Sequence, residues 1–380
     1  MLIMKLKELT NILDGQFHKE YSLSWDNSGL LIGNLESEVK NIAVSLDVTT
    51  DVINEAVKSN VNLIFSHHPL IFFHIRNITS DNYPGQSVLN LTENKIALYC
   101  AHTNYDIMEN GLNDYIVKLL GLENKKSIVS NSTKWFKFVT FAPLDYEEKI
   151  RNSMCLAGGG QWKDYSCCTF KTDGKGTFKP GESADPFIGE RGSLNFVEEV
   201  KLECIVPSVK LAELISSVMK AHPYEEPAYD VYQLENKFEE GGIGRIGNLK
   251  NPLFLNDFFN YIKERLNLTN FRYIFKNNSF TAGKELKKIA VVNGSVNSIV
   301  EDLDNLDFDA LVCGEVNYHN AMKLSEAGKL VIELGHGESE LFAVEHIFDI
   351  LTDISNRMHL GLKILQSNNK ELLWRYFIGR

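Results

Sequence analysis

Short β-branched apolar runs that pass straight into histidines and acids constrain this chain more than any other feature. Val61-Asn62-Leu63-Ile64-Phe65 leads into Ser66-His67-His68-Pro69, and residues 95–101 lead into His102-Thr103-Asn104-Tyr105-Asp106. The pattern returns near the end of the chain. Ala310-Leu311-Val312-Cys313 precedes Glu315 and His319, and residues 329–334 precede His336, Glu338 and Glu340. Each run has the length and branching of a buried strand. Pro69 cannot donate a ladder hydrogen bond, so the first run stops there. Helical patterns lie between the runs: Leu6, Leu9, Ile12, Leu13 and Phe17 share one face of a helix. Thr49 or Thr50 is placed to cap a helix over 51–59. This strand–helix alternation predicts an α/β fold whose two terminal segments together build one mostly parallel sheet. Such sheets gather ligands beyond the carboxyl ends of their strands, so segments far apart in sequence become neighbours there.

The rhythm breaks after residue 122. Glu123-Asn124-Lys125-Lys126 and Ser130-Asn131-Ser132 read as a linker. Residues 135–142 alternate as a half-buried strand. Residues 172–193, rich in Gly, Pro, Ser and Asp, read as loop. A strand over 197–206, a helix over 211–221 and the turn His222-Pro223-Tyr224-Glu225-Glu226-Pro227 complete a small α+β module. The predicted organisation is a host domain in two halves, 1–128 and 242–380, with an inserted module at 129–241. Gly242-Ile243-Gly244-Arg245-Ile246-Gly247 matches G-x-G-x-x-G in letters only. A dinucleotide site needs a strand before it and a helix opening from it. Lys237-Phe238-Glu239-Glu240 does not read as a strand, and Pro252 obstructs a helix.

Composition narrows the function. A net charge of −11 argues against general binding to nucleic acid or anionic membrane. No apolar run reaches the ~20 residues of a spanning helix, and the charged N-terminus does not resemble a signal peptide. The six cysteines contain no C-x-x-C pair and read as reduced thiols of a cytoplasmic protein. There is no G-x-S-x-G elbow and no Walker A loop.

What remains is the histidine and acid set. Five of ten histidines fall at the four strand ends, where scattered structural histidines would have no reason to gather. His336 and Glu340 have the i, i+4 spacing that puts both side chains on one face of a helix. His67 and His68 point apart in an extended backbone, which suits two metal ions better than one. Imidazoles with carboxylates make a shell for divalent ions such as zinc, iron or manganese.

The ordered motifs Trp25-Asp26-Asn27-x-Gly29-Leu30, Ser66-His67-His68-Pro69, Ala101-His102-Thr103-x-x-Asp106, Gly244-Arg245-x-Gly247 and Gly335-His336-x-x-x-Glu340 resemble the GTP cyclohydrolase 1 type 2 homologues, the Nif-three-like dinuclear-metal proteins. The resemblance covers about 1–125 and 242–380. It implies His67, His68, Asp106, His336 and Glu340 as ligands of two divalent ions, zinc first, with His102 close by. It also implies a toroidal homohexamer. Two departures stand out: Gly314-Glu315 replaces the usual Gly-Asp, and Gly337 follows His336, which leaves Glu340 and Glu338 as alternative ligands. The insert is similar to CutA-type, signal-protein-like modules. The function this implies is a dinuclear-metal hydrolase, with purine ring opening of the GTP cyclohydrolase kind as the model. His319 and Glu338 are the candidate proton carriers, and Arg245 is a candidate phosphate contact. A metal-binding regulatory or scaffold protein acting through partners is the rival.

Overall fold

In a computed structural model of the protein, residues 4–132, 134–162, 165–236, 239–276 and 284–368 are described. Lys237 and Phe238, where no strand was expected, lie outside them, as do residues 369–380 of the last predicted segment. Along the chain the strands are β1 (Gly29–Ile32), β2 (Asn41–Ser45), β3 (Leu63–Ser66), β4 (Ala97–Cys100) and β5 (Leu122–Ser132). The middle of the chain carries β6 (Trp135–Pro143), β7 (Thr169–Phe178), β8 (Asn195–Pro207) and β9 (Tyr229–Gln233). The last third carries β10 (Glu239–Phe254), β11 (Arg272–Ile274), β12 (Glu285–Ser295), β13 (Ala310–Glu315), β14 (Leu330–Glu333) and β15 (Lys363–Gln366). They fold into two compact units, Met1–Asn131 with Glu240–Arg380, and Ser132–Glu239.

The larger unit holds two sheets where the sequence suggested one. The first has the order β1-β4-β3-β2-β15 and the second β11-β14-β13-β12-β10-β5. Strands β4, β3, β2 and β15 run parallel with β1 as an antiparallel edge. In the second sheet β12, β13 and β14 are parallel, while β10 is antiparallel to β12 and β11 to β14. Each terminal segment lends one strand to the other's sheet: β15 closes the first and β5 the second. That exchange is why neither segment forms a domain alone.

The period of two along a strand divides the core. Leu63, Phe65, Ala97, Tyr99, Ile289, Val291, Val312 and Ile332 face one shared core, with helices Leu6–Gln16, Leu112–Leu119, Leu255–Arg265 and Phe342–Arg357. Their neighbours face the other way: Ile64 and Leu98 pack on helices Thr50–Lys58 and Gly85–Glu93, and Ala290, Leu311 and Val331 on Val300–Asp304 and Tyr318–Glu326. Thr49 caps its helix by accepting from the Val52 amide, 3.3 Å.

Two predicted loops are strands. The 123–132 segment is edge strand β5, whose lysines are common on edges because they discourage further pairing. Part of 172–193 is β7, mostly exposed and recruited through its main chain to β8. Neither shows hydrophobic alternation, so only pairing reveals them. The Gly-x-Gly run lies inside β10. Gly242 sits where a Cβ would strike the Val129 carbonyl, so its glycine serves close strand pairing rather than a phosphate.

The smaller unit follows a β-α-β-β-α-β order in one antiparallel sheet, β7-β8-β6-β9. Helices Glu147–Leu156 and Ser208–Ala221 cover one face through Ile150, Met154, Leu214 and Val218. Cys155 and Cys167 are joined here, with Cα atoms 5.0 Å apart. This departs from the expectation of six free thiols. Their 12-residue separation matches no short cysteine motif, so the pair is invisible before the chain turns back. Cys100, Cys168, Cys204 and Cys313 are free. No helix among the described residues is long and apolar enough to cross a membrane.

Candidate metal centre

The carboxyl ends of β3, β4, β12 and β14 converge in the larger unit. His67 and His68 follow β3, His102 and Asp106 follow β4, Asn293 lies near the end of β12, and Gly335 (φ +103°) turns the chain from β14 into helix His336–Glu340. Three overlapping sets are close enough to hold a metal ion: His67 with His68 and His102; His68 with His336 and Glu340; His67 with Asp106 and Glu340. Within each set the ligand atoms lie within 4.8 Å of one another.

The decisive atom is His67 Nε2. His67 is fully buried, and its Nδ1–H donates to the Ala101 carbonyl, 2.9 Å. That bond leaves the Nε2 lone pair aimed inward. It has no hydrogen-bond partner, and it faces Asp106 Oδ1 and Glu340 Oε1 at 3.7 Å each. A nitrogen and two carboxylate oxygens thus converge at distances too long for hydrogen bonds. A cation between them resolves both the orphaned lone pair and the facing anions.

Glu340, 2% exposed, divides its two oxygens. Oε1 faces His67, while Oε2 lies 2.7 Å from His68 Nε2 and 3.2 Å from His336 Nε2. One carboxylate therefore serves two of the three sets. Gly294 makes room for it: a Cβ there would sit 2.5 Å from Oε1. Asn293 Nδ2–H donates to Asp106 Oδ1 at 2.9 Å and fixes that carboxylate.

A second ring of carboxylates orients the imidazoles. Asp47 holds His68 Nδ1 and Asp26 holds His102 Nδ1, both at 2.8 Å. This carboxylate–histidine pairing sets the ring's orientation and raises its basicity. Burial opposes a proton on His68, but hydrogen bonds to Asp47 and Glu340 outweigh it and raise its pKa to about 10. The Glu340 hydrogen bond, against burial, raises His336 to about 9. Burial pushes the Asp106 pKa up, and facing histidines only partly offset it. Burial acts the same way on Glu340, but hydrogen bonds from His336 and His68, with the charge of His68, pull its pKa below the usual carboxylate range.

The Duf34/NIF3 (NGG1p interacting factor 3) family model matches residues 4–371. The chain belongs to the DUF34/NIF3 family. The GTP cyclohydrolase 1 type 2 homolog of Bacillus subtilis is 35% identical over 350 residues, covering 92% of both chains. The Bacillus cereus protein related to NIF3 superposes with a TM-score of 0.82 at 31% identity, covering 99% of this chain and 100% of that one. Staphylococcus aureus protein SA1388 gives 0.77 at 27% identity, with the same coverage.

In this DUF34/NIF3 protein the structure brings together His67, His68, His102, Asp106, His336 and Glu340. Glu338 lies apart from them, lining an adjoining cavity with His336, Glu315 and Arg272. His319 is exposed on helix Tyr318–Glu326 with its ring against Tyr318, and it lines neither this cavity nor the one over the cluster. Arg245 cannot meet a phosphate. It is buried, paired with Asp114 at 2.7 Å and donating to main-chain carbonyls including Gly242 and Met108. Sequence reasoning missed Asp26, Asp47 and Asn293. Asp47 follows strand β2, so the strand-end rule that selected the histidines also points to it.

Proposed function

We propose that this protein is a metal-dependent hydrolase with two divalent cations, zinc first, sharing Glu340. The observation that carries this reading is the orphaned His67 Nε2 facing Asp106 and Glu340. His67 and Asp106 would hold one cation, His68 and His336 the other, with His102 beside His67 and His68. A bound pair of such ions supplies Lewis acidity and acidifies water.

The cavity over the cluster, about 610 Å³, suits a flat apolar ring. Leu23, Trp25, Phe72, Ile107, Ile243 and Val292 form its apolar wall. The Trp25 and Phe72 rings lie 5.8 Å apart and each 6.2 Å from His102. We assign them to stacking a purine, and the reaction to ring opening of the GTP cyclohydrolase kind: one water adds at the imidazole carbon and opens the ring to a formamide, and a second water cleaves the formamide, releasing formate and leaving the amine. Among the described residues no Lys or Arg lines that cavity, and Arg272 in the adjoining one is held by Glu333 at 2.6 Å. The base, not a triphosphate, is therefore what the site is built to recognise. Glu338, at the mouth shared with His336, is our choice for moving protons; the exposure of His319 disfavours it for that role.

We further propose a cytoplasmic homohexameric ring, as the family resemblance implies, with no nucleic-acid or membrane partner. The strand order of the Ser132–Glu239 unit supports reading it as a ferredoxin-like, CutA-like insert. The test is elemental analysis of purified protein, then assay of GTP, guanosine and guanine against wild type and His67→Ala. Turnover that needs bound metal and disappears in His67→Ala supports the enzyme. Metal-replete protein that converts none of these leaves the regulatory scaffold, and sedimentation gives the ring size.

A further inference from the structure

The Ser132–Glu239 unit holds a cavity of about 760 Å³ that the metal chemistry does not use. It lies between the β7 end, the loop after it and the turn at 222–227. That turn is fixed from within. His222 Nε2–H donates to the Phe141 carbonyl at 2.9 Å, and His222 Nδ1 accepts the Tyr224 amide at 3.1 Å. Both ring nitrogens are thereby satisfied, so His222 is a clip and no ligand. The clip sets the Tyr224 ring, whose hydroxyl donates to Glu199 Oε1 at 2.7 Å. The second Glu199 oxygen occupies the space a Cβ would need at Gly176. The glycine therefore leaves room for a carboxylate at the cavity wall.

The opposite wall is also tied in place. The Asp185 amide donates to Glu225 Oε2 at 2.8 Å, bringing the loop to the turn. That loop carries Phe187, whose ring lies 6.4 Å from Tyr224 and 5.6 Å, edge-on, from Tyr146. Phe178 lies 6.4 Å from Tyr224 on the other side. Four aromatic residues, Phe141, Phe178, Phe187 and Tyr224, line one cavity together with Glu199, Glu225 and Glu226, and Lys179 is the single lining cation among the described residues. Three carboxylates against one ammonium repel an anionic ligand. The aromatic faces attract a cation through their quadrupoles, and the carboxylates add charge. With one histidine already satisfied and the acids spread around the wall, a compact metal shell is not what the residues form.

We propose that this cavity binds a small organic cation, an alkylammonium compound with an apolar body. Aromatic cages of this composition recognise such groups because an alkylated ammonium is too bulky and weakly hydrated to prefer water. The volume falls in the range of small-molecule sites.

The test uses the full chain and calorimetric titration. Choline and benzyltrimethylammonium are compared with 3,3-dimethylbutan-1-ol, the neutral carbon counterpart of choline. The cations are expected to saturate at submillimolar to millimolar levels, with the neutral alcohol about tenfold weaker. Glu199→Gln keeps the shape and removes the charge; Phe187→Ala removes a half-exposed ring of the cage. Each is expected to weaken cation binding by about fivefold. The proposal is overturned if the alcohol binds as tightly as choline, if neither cation saturates, or if both variants bind like wild type. Binding that survives both variants but is lost in Glu340→Gln would place the cation at the metal centre instead and also overturn it.

Discussion

Two buried histidines precede or adjoin a His-Pro sequence, one in each unit, and they have opposite fates. His67, before His68-Pro69, spends one nitrogen on a carbonyl and turns the other toward two carboxylates at 3.7 Å. His222, before Pro223, spends both nitrogens on the main chain. Residue type, burial and local sequence are nearly the same. What separates a candidate ligand from a clip is whether the second nitrogen already has a hydrogen-bond partner. The surrounding charge agrees with this: acids ring His67, whereas burial lowers the His222 pKa and a hydrogen bond to Phe141 only partly opposes it.

The strongest way to break the comparison is at the shared carboxylate. Glu340→Ala removes an oxygen from two of the three sets at once, and metal affinity should fall by more than about 100-fold, beyond what losing an outer partner costs. Elemental analysis after dialysis measures it; full metal occupancy in this variant would refute the bridging role. Asp47→Asn and Asp26→Asn keep the ligands but weaken their orientation. Each should cost about 10–100-fold in affinity, read by competition with a chelator of known strength.

On the other side, His222→Ala should leave metal content untouched. It unpairs the Phe141 carbonyl and the Tyr224 amide, and should destabilise the Ser132–Glu239 unit by about 1–3 kcal/mol in urea. Metal loss in His222→Ala would erase the distinction. The smallest effect is the pH dependence of that clip. With the folded pKa of His222 depressed below its unfolded value of about 6.5, the unfolded chain binds the extra proton. Its stabilising effect is present above that pH and is lost as pH falls through it. Urea midpoints of wild type and His222→Gln should therefore converge on acidification; midpoints that stay parallel would show that the ring is not neutral in the fold.

Much of the site was legible because the rule behind it is local. A β-branched run ends, and the next residues stand at a sheet's carboxyl edge; that logic picked out His67, His68, His102, Asp106, His336 and Glu340, together with Glu315, His319 and Glu338, which fall outside the three sets. It covers Asp47, which follows β2 and was left unused, but not Asp26, which follows no strand and acts only by touching His102. It also passed over β5 and β7, since an exposed strand held by its main chain has no alternation to display.

The sequence alone determined the strand–helix rhythm, a helix cap at Thr49 or Thr50 and the motif set that marks the family, all of which rest on spacing within a few residues. Only the tertiary structure decided that two sheets, not one, carry the candidate ligands. It also decided which acid is central. Glu338 and Glu340 share a five-residue helix, but Glu340 alone is buried against three imidazoles, because helix His336–Glu340 from one sheet's edge meets the ends of β3 and β4 from the other. Where two separately built edges meet is a property of global packing, and no local pattern encodes it.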